Sequence, residues 1–154
     1  MKDWNVRSWC LTSLAILVML LASACGNSVQ LKGDSMSPTL KDGERLTVDR
    51  SAFKSSGPQR GDIVEFDYSG GKRLSHVVGL PGETIGIKGG LVYVNGTRLD
   101  EPYVAPGAQT QSSTDSFQVP EDSYFLMSDN REHANDSRAI GPIARSQIIG
   151  KVLR

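Results

Sequence analysis

Cysteine and histidine are scarce in this chain, with two of each in 154 residues. Both cysteines, Cys10 and Cys25, fall in the first 25 positions. The rest of the chain therefore has no disulfide framework, and its redox compartment cannot be read from cysteine usage. An excess of charge is also lacking: 17 Lys and Arg balance 17 Asp and Glu. That balance excludes a generic polyanion binder, and nucleic acid is not an expected partner. Helical periodicity longer than a turn or two is missing, as is any internal repeat. Charged residues at 22% and aromatics at 6% are close to ordinary usage, so wholesale disorder is excluded. Sixteen glycines and seven prolines favour tight turns and β structure over a helical bundle.

The last shortage is local. No charged residue stands between Arg7 and Lys32, and Trp9 to Ala24 is almost wholly apolar or small. The chain divides into residues 1–31, an N-terminal membrane anchor or lipoprotein-type signal, and residues 32–154, a polar, turn-rich domain. Three readings of the first segment stay open. Ser8 to Leu31 is long enough to cross a bilayer as a helix. Ala22-Ser23-Ala24 is a small-x-small site suited to a cleavable signal. Leu21 to Gly26 looks like a lipobox with Cys25 as the lipidated residue, although Ala22 stands where a larger aliphatic is usual. In each, Lys2 and Arg7 stay cytoplasmic and the domain after Lys32 emerges on the extracytoplasmic side.

Within the domain, short β-prone runs are bounded by turn signals. Arg45 to Val48, Ile63 to Phe66, Leu74 to Val78, Thr84 to Ile87, Leu91 to Val94, Tyr124 to Met127 and Ile148 to Leu153 read as strands. Gly89-Gly90 and Asn95-Gly96 read as hairpin turns. The spacing predicts an all-β sandwich or barrel-like fold. Ala105 to Ser116 is poor in apolar residues and reads as a mobile loop.

Five segments carry the chemistry. Gly33-Asp34-Ser35-Met36-Ser37-Pro38-Thr39-Leu40 comes first. Arg60-Gly61-Asp62-Ile63-Val64-Glu65-Phe66 follows, then Val77-Val78-Gly79-Leu80-Pro81-Gly82 and Val92 to Gly96. Last comes Asp129-Asn130-Arg131 with Asp136-Ser137-Arg138. In this order, over essentially the whole chain, they resemble the type I signal peptidase family. The resemblance implies a two-sheet, signal-peptidase-like β fold behind one N-terminal hydrophobic helix. It implies a membrane-bound serine endopeptidase that cleaves signal peptides from secreted preproteins after small residues at −1 and −3. Its implied partners are those signal peptides and the lipid bilayer, and it uses no metal and no cofactor. Ser35 is the implied nucleophile. Leu31, Met36, Leu40, Leu46 and Leu74 stand where the family lines its apolar subsites, and each is equally compatible with ordinary core. Gly33 holds the place from which many relatives supply a second oxyanion donor, so only the Ser35 N–H remains. Nine residues lie between Cys25 and Ser35, which keeps the nucleophile close to the bilayer.

The departures fall around one missing group. A serine hydroxyl needs a base to take its proton. The family places a Lys in K-R-V-V-G-L-P-G, whereas Leu74-Ser75-His76-Val77-Val78-Gly79 has Ser75 at the Lys position and His76 at the Arg position. Ser128 replaces a usual Gly, and Ala134 replaces the Ser that orients the Lys amine. Three bases stay open: His76, His133 or none. Strand alternation sets His76 and Lys72 on the face opposite Ser75, a bulge between His76 and Val77 would re-aim the imidazole, and Arg73 cannot give up its proton. His133 lies in the final loop, with Asp136 near enough in sequence to orient its ring. Asp129, Asp136 and Arg138, with Arg131 beside them, are expected to form an ion-pair or turn network that holds that loop. The competing function is a catalytically inactive homologue that binds extended peptides. A third reading is a plain lipoprotein with a β domain that makes no use of Ser35.

Overall fold

A computed structural model describes residues 27–105, 114–132 and 135–154. The apolar run with Cys25, and His133 with Ala134, lie outside the described residues. The described residues form eleven strands: β1 (Ser28–Gln30), β2 (Arg45–Asp49), β3 (Ile63–Tyr68), β4 (Gly71–Gly79), β5 (Thr84–Lys88), β6 (Leu91–Val94), β7 (Thr97–Arg98), β8 (Thr114–Gln118), β9 (Ser123–Met127), β10 (Ile143–Ala144) and β11 (Ile148–Leu153). One helical turn, α1 (Ser137–Ile140), precedes β10. Among the described residues no helix is long and apolar enough to cross a membrane.

The strands form two sheets. The larger has the order β1-β2-β11-β3-β4-β9-β10, and the smaller β7-β6-β5-β8. All strand pairings among the described residues are antiparallel, so short turns suffice as connections. The expected β architecture is present, and every run read as a strand from its alternation is one. The loop expectation over 105–116 needs correction at its far end, where Thr114 to Ser116 belong to β8. This strand is carried by its ladder to β5 and by Phe117, which packs against the core between the sheets. At the other end, β1 pairs with β2 and Leu31 is buried, so the sheet takes in residues before Lys32.

Three apolar clusters fill the domain. Ile63 and Leu74 pack with Leu31, Met36, Leu40, Leu46, Val48 and Val152. Val64, Phe66 and Val77 point the other way, onto Phe53, Tyr124, Leu126, Ile143 and Ile148. This division follows from the register, because Ile63 faces His76 and Val64 faces Ser75 across the β3–β4 ladder. Val78, Phe125 and Met127 meet Ile85, Ile87, Val92 and Val94 of the smaller sheet. Gly79 lies where the sheets come together. A Cβ there would stand 2.8 Å from both Ile85 Cδ1 and Phe125 Cβ, so only glycine fits without displacement.

Candidate functional site

The Gly33–Leu40 segment begins with a turn that glycine makes accessible. Gly33 has φ +86°, a left-handed conformation that costs glycine little. Its N–H donates to Asp42 Oδ1 at 2.7 Å. Next, Ser37 N donates to Asp34 O at 2.9 Å and Leu40 N to Met36 O at 2.8 Å, which coils the segment tightly. Met36 and Leu40 are fully buried and anchor it. Ser35 is half-buried between them, and its carbonyl accepts from Asn130 N at 2.9 Å. Its backbone is thus fixed from both sides, while its side chain faces a cavity of about 310 Å³.

That cavity lies between two open edges of one sheet. One wall is the run from Val29 to Lys32 that ends β1, with Ser35 beyond it. The other wall is Lys72 to Ser75 of β4, with Glu65 of β3 alongside, and Ser128 and Asn135 close the end. β1 and β4 are four places apart in the sheet order, so the sheet curls to bring them to one groove. β9 pairs with β4 only from His76 to Gly79. Among the described residues the Gly71–Ser75 half of β4 has no strand partner on that side, and Lys72 to Ser75 line the groove. An extended peptide can pair with such an edge.

The curl corrects one inference from strand parity. Lys72 and Leu74 share a face with Glu65, and Arg73 and Ser75 share the other, yet all line the groove because it runs along the strand's edge. Lys72 is therefore not excluded from the Ser35 cavity. Its Nζ stands 3.9 Å from Glu65 Oε1. Glu65 is 1% exposed, and its Oε2 has no hydrogen-bond partner among the described residues. The sequence shows the signal for Glu65, a carboxylate in the middle of an apolar strand, but not where that carboxylate faces.

His76 is placed elsewhere. Its ring is buried, stacked at 3.9 Å on Tyr103, and its Nδ1 is hydrogen-bonded to Asp129 Oδ1 at 2.5 Å. It borders a second cavity with Gly61, Asp62, Ile63 and the C-terminal residues, not the one that holds Ser35. Of the five apolar residues assigned to subsites, Leu31 and Leu74 line the groove, and Met36, Leu40 and Leu46 lie in the core behind it. Gly33 is exposed beside the turn.

The final loop is held by charge-assisted bonds, with pairings that the sequence did not specify. Arg138 forks onto Asp136, with Nε to Oδ1 at 2.8 Å and Nη2 to Oδ2 at 2.7 Å. Asp136 Oδ2 also accepts from Ser128 N at 2.8 Å, and so sets the position of the Ser128 side chain. Arg131 donates from Nε to Ser128 O at 2.9 Å and pairs with Glu101 through both terminal nitrogens. Burial opposes the charge on Arg131, and Glu101 more than offsets it, so its pKa is raised. Tyr103 donates to Glu101 Oε1 at 3.0 Å, and burial followed by the Glu101 charge pushes the phenol well above its usual range. Asp129 thus pairs with His76 instead of Arg138. Glu101 and Tyr103, which the motifs do not contain, complete the shell around His76.

This chain can be set beside known proteins. A family model described as signal peptidase, peptidase S26, matches residues 4–154. Signal peptidase IB of Staphylococcus aureus is 38% identical over 144 residues, which cover 79% of this chain and 73% of that protein. Signal peptidase I of Bacillus amyloliquefaciens is 34% identical over 144 residues, covering 88% and 78% respectively. A crystal structure of a signal peptidase I from Enterococcus faecalis V583 superposes with a TM-score of 0.55 at 30% identity, covering 64% of this chain and 98% of that one. The two-sheet architecture and the order of motifs agree with these matches, and the chain belongs to the signal peptidase family of serine peptidases, peptidase S26.

Proposed function

We propose that the chain is a membrane-bound serine endopeptidase that removes signal peptides after small residues at −1 and −3, with Ser35 as nucleophile. The observation that carries this reading is the position of Ser35 at a groove whose far wall is an unpaired strand edge. A preprotein segment laid along β4 presents its carbonyl to the Ser35 hydroxyl, and alternate side chains enter the groove. Attack forms an acyl-enzyme and releases the mature chain, and water then frees the signal peptide. The Ser35 N–H serves the oxyanion. The N-terminal apolar run, as a helix or through lipidated Cys25, holds this chemistry at the extracytoplasmic face of the bilayer.

The base is atypical or missing. Ser75 occupies the usual Lys position, and His76 is engaged by Asp129. Glu65, Lys32 and Lys72 are the proton-exchanging groups among the described residues lining the groove. That engagement of His76, with Ser75 and Ser128 beside Ser35, supports the second reading of an inactive homologue that binds extended peptides.

Cleavage of an Ala-x-Ala peptide by the detergent-solubilised full chain tests the first reading. The expected result is a cut after the second Ala that is abolished in Ser35→Ala. Peptide left intact from about pH 6 to about pH 10 refutes the enzymatic reading, and retained binding by Ser35→Ala then favours the second.

A further inference from the structure

We propose that the groove selects a short hydroxyl side chain, serine or threonine, at substrate position −3, and that Glu65 is the residue that imposes this choice. The inference rests on the reading of Ser35 as the residue beside the scissile bond.

Glu65 is 1% exposed and lines the Ser35 cavity among Val29, Leu31 and Leu74. Its Oε2 has no donor among the described residues, and Lys72 Nζ at 3.9 Å from Oε1 is too far for a hydrogen bond. A buried carboxylate oxygen without a donor is costly, and a guest that brings an O–H recovers part of that cost. The terminal carboxylate torsion is soft, so either oxygen can turn to a guest. An alanine methyl at the same place leaves the acceptor unpaired and gains nothing from it.

Direction along β4 assigns the subsite. The −1 side chain lies beside Ser35, and the −3 side chain points the same way roughly 7 Å further on. Ser75 marks the reactive end of β4, because it stands at the position of the family's base. Glu65 is opposite Leu74, one residue along β4 from Ser75, and its carboxylate is drawn further from Ser75 toward the Lys72 ammonium, 3.9 Å from Oε1. It therefore meets −3 and not −1. Charge excludes a cationic guest, since Lys32, Lys72 and Arg73 surround the same cavity. A neutral donor on a short side chain remains.

The test uses the full chain in detergent carrying Ser35→Ala, and labelled signal peptides that differ only at −3. Fluorescence anisotropy is expected to show the Ser peptide binding roughly ten- to a hundredfold tighter than the Ala peptide, with Lys weakest. Glu65→Val removes the acceptor and is expected to reverse the order of Ser and Ala. Glu65→Gln keeps an amide oxygen and retains part of the preference, and it serves if the valine variant melts early. Exchange at −1 is expected to show no dependence on residue 65. Equal binding of the Ser and Ala peptides, a preference that survives Glu65→Val, or one that appears at −1 instead overturns the proposal. Wild-type cleavage is measured alongside. A preference at −3 with every peptide left uncut sinks the peptidase reading and leaves this one standing. Cleavage indifferent to −3 does the opposite, and no binding of any peptide removes both.

Discussion

Replacing His76 by leucine separates a structural histidine from a catalytic one. His76 is 5% exposed and Asp129 is fully buried, with Nδ1 and Oδ1 2.5 Å apart. Asp129 Oδ2 has no partner, so His76 is the only side chain bonded to this carboxylate among the described residues. Leucine leaves the whole carboxylate buried with no donor. Removing one member of a buried pair costs about 3 kcal/mol or more. Losing the stack on Tyr103, with ring planes 16° apart at 3.9 Å, adds about 1 kcal/mol. The sum, about 4 kcal/mol, is a large share of the roughly 5–15 kcal/mol that holds an ordinary domain. Thermal unfolding of the solubilised chain is expected to fall by about 10 °C or more. A second substitution, Asp129→Leu, removes the orphaned charge and is expected to restore most of the loss, since an apolar pair replaces a buried ionic one at little cost. A His76→Leu chain as stable as wild type refutes the structural account. Unchanged stability with cleavage abolished moves His76 into the chemistry.

Two further outcomes follow from the same geometry. The raised pKa of Tyr103 means that the folded state holds its phenolic proton beyond the ordinary value of 10.0, so its contribution to stability is complete below that pH and is lost as pH rises above it. Tyr103→Phe keeps the stack on His76 and removes that titration, so wild-type stability above about pH 10 is expected to fall more steeply than the variant's in urea titrations, and parallel curves contradict this. At Gly150 a Cβ would stand 2.6 Å from Asp49 O and 3.0 Å from Arg50 Cα, both backbone atoms of the neighbouring strand and turn. Gly150→Ala is expected to cost about 2–3 kcal/mol by opening the β2–β11 ladder, read from the denaturant midpoint, and an unshifted midpoint refutes the contact.

Local patterns were enough to read the strands, and motif order was enough to read the family. Arg45 to Val48 and Leu91 to Val94 alternate, and each became a strand with its apolar residues inward. β1 was not legible, because Ser28-Val29-Gln30 has no pattern of its own and is a strand only through its pairing with β2. The partner of Asp129 was equally hidden. It depends on the register that places His76 opposite Met127, two residues before Asp129.

Parity shows where local rules stop. It placed His76 opposite Ser75 correctly, since His76 faces Ile63 and Ser75 faces Val64 across the ladder. It failed for Lys72, because a rule about faces assumes a strand with neighbours on both sides, and β4 loses β9 beyond His76. Along the open half, both faces and the backbone edge border the same groove. This is also why the substitutions cluster. Ser75 and Ser128 line one cavity, where a side chain shorter than lysine leaves the volume that a Cβ at residue 128 occupies. Glu65 then puts a buried acceptor beside Val29, Leu31 and Leu74 in the same cavity. On the proposed reading the groove departs from the family at its base position and in its lining together, so proton chemistry and choice of guest have to be measured on peptides that vary at −3 and not on the family's usual alanines alone.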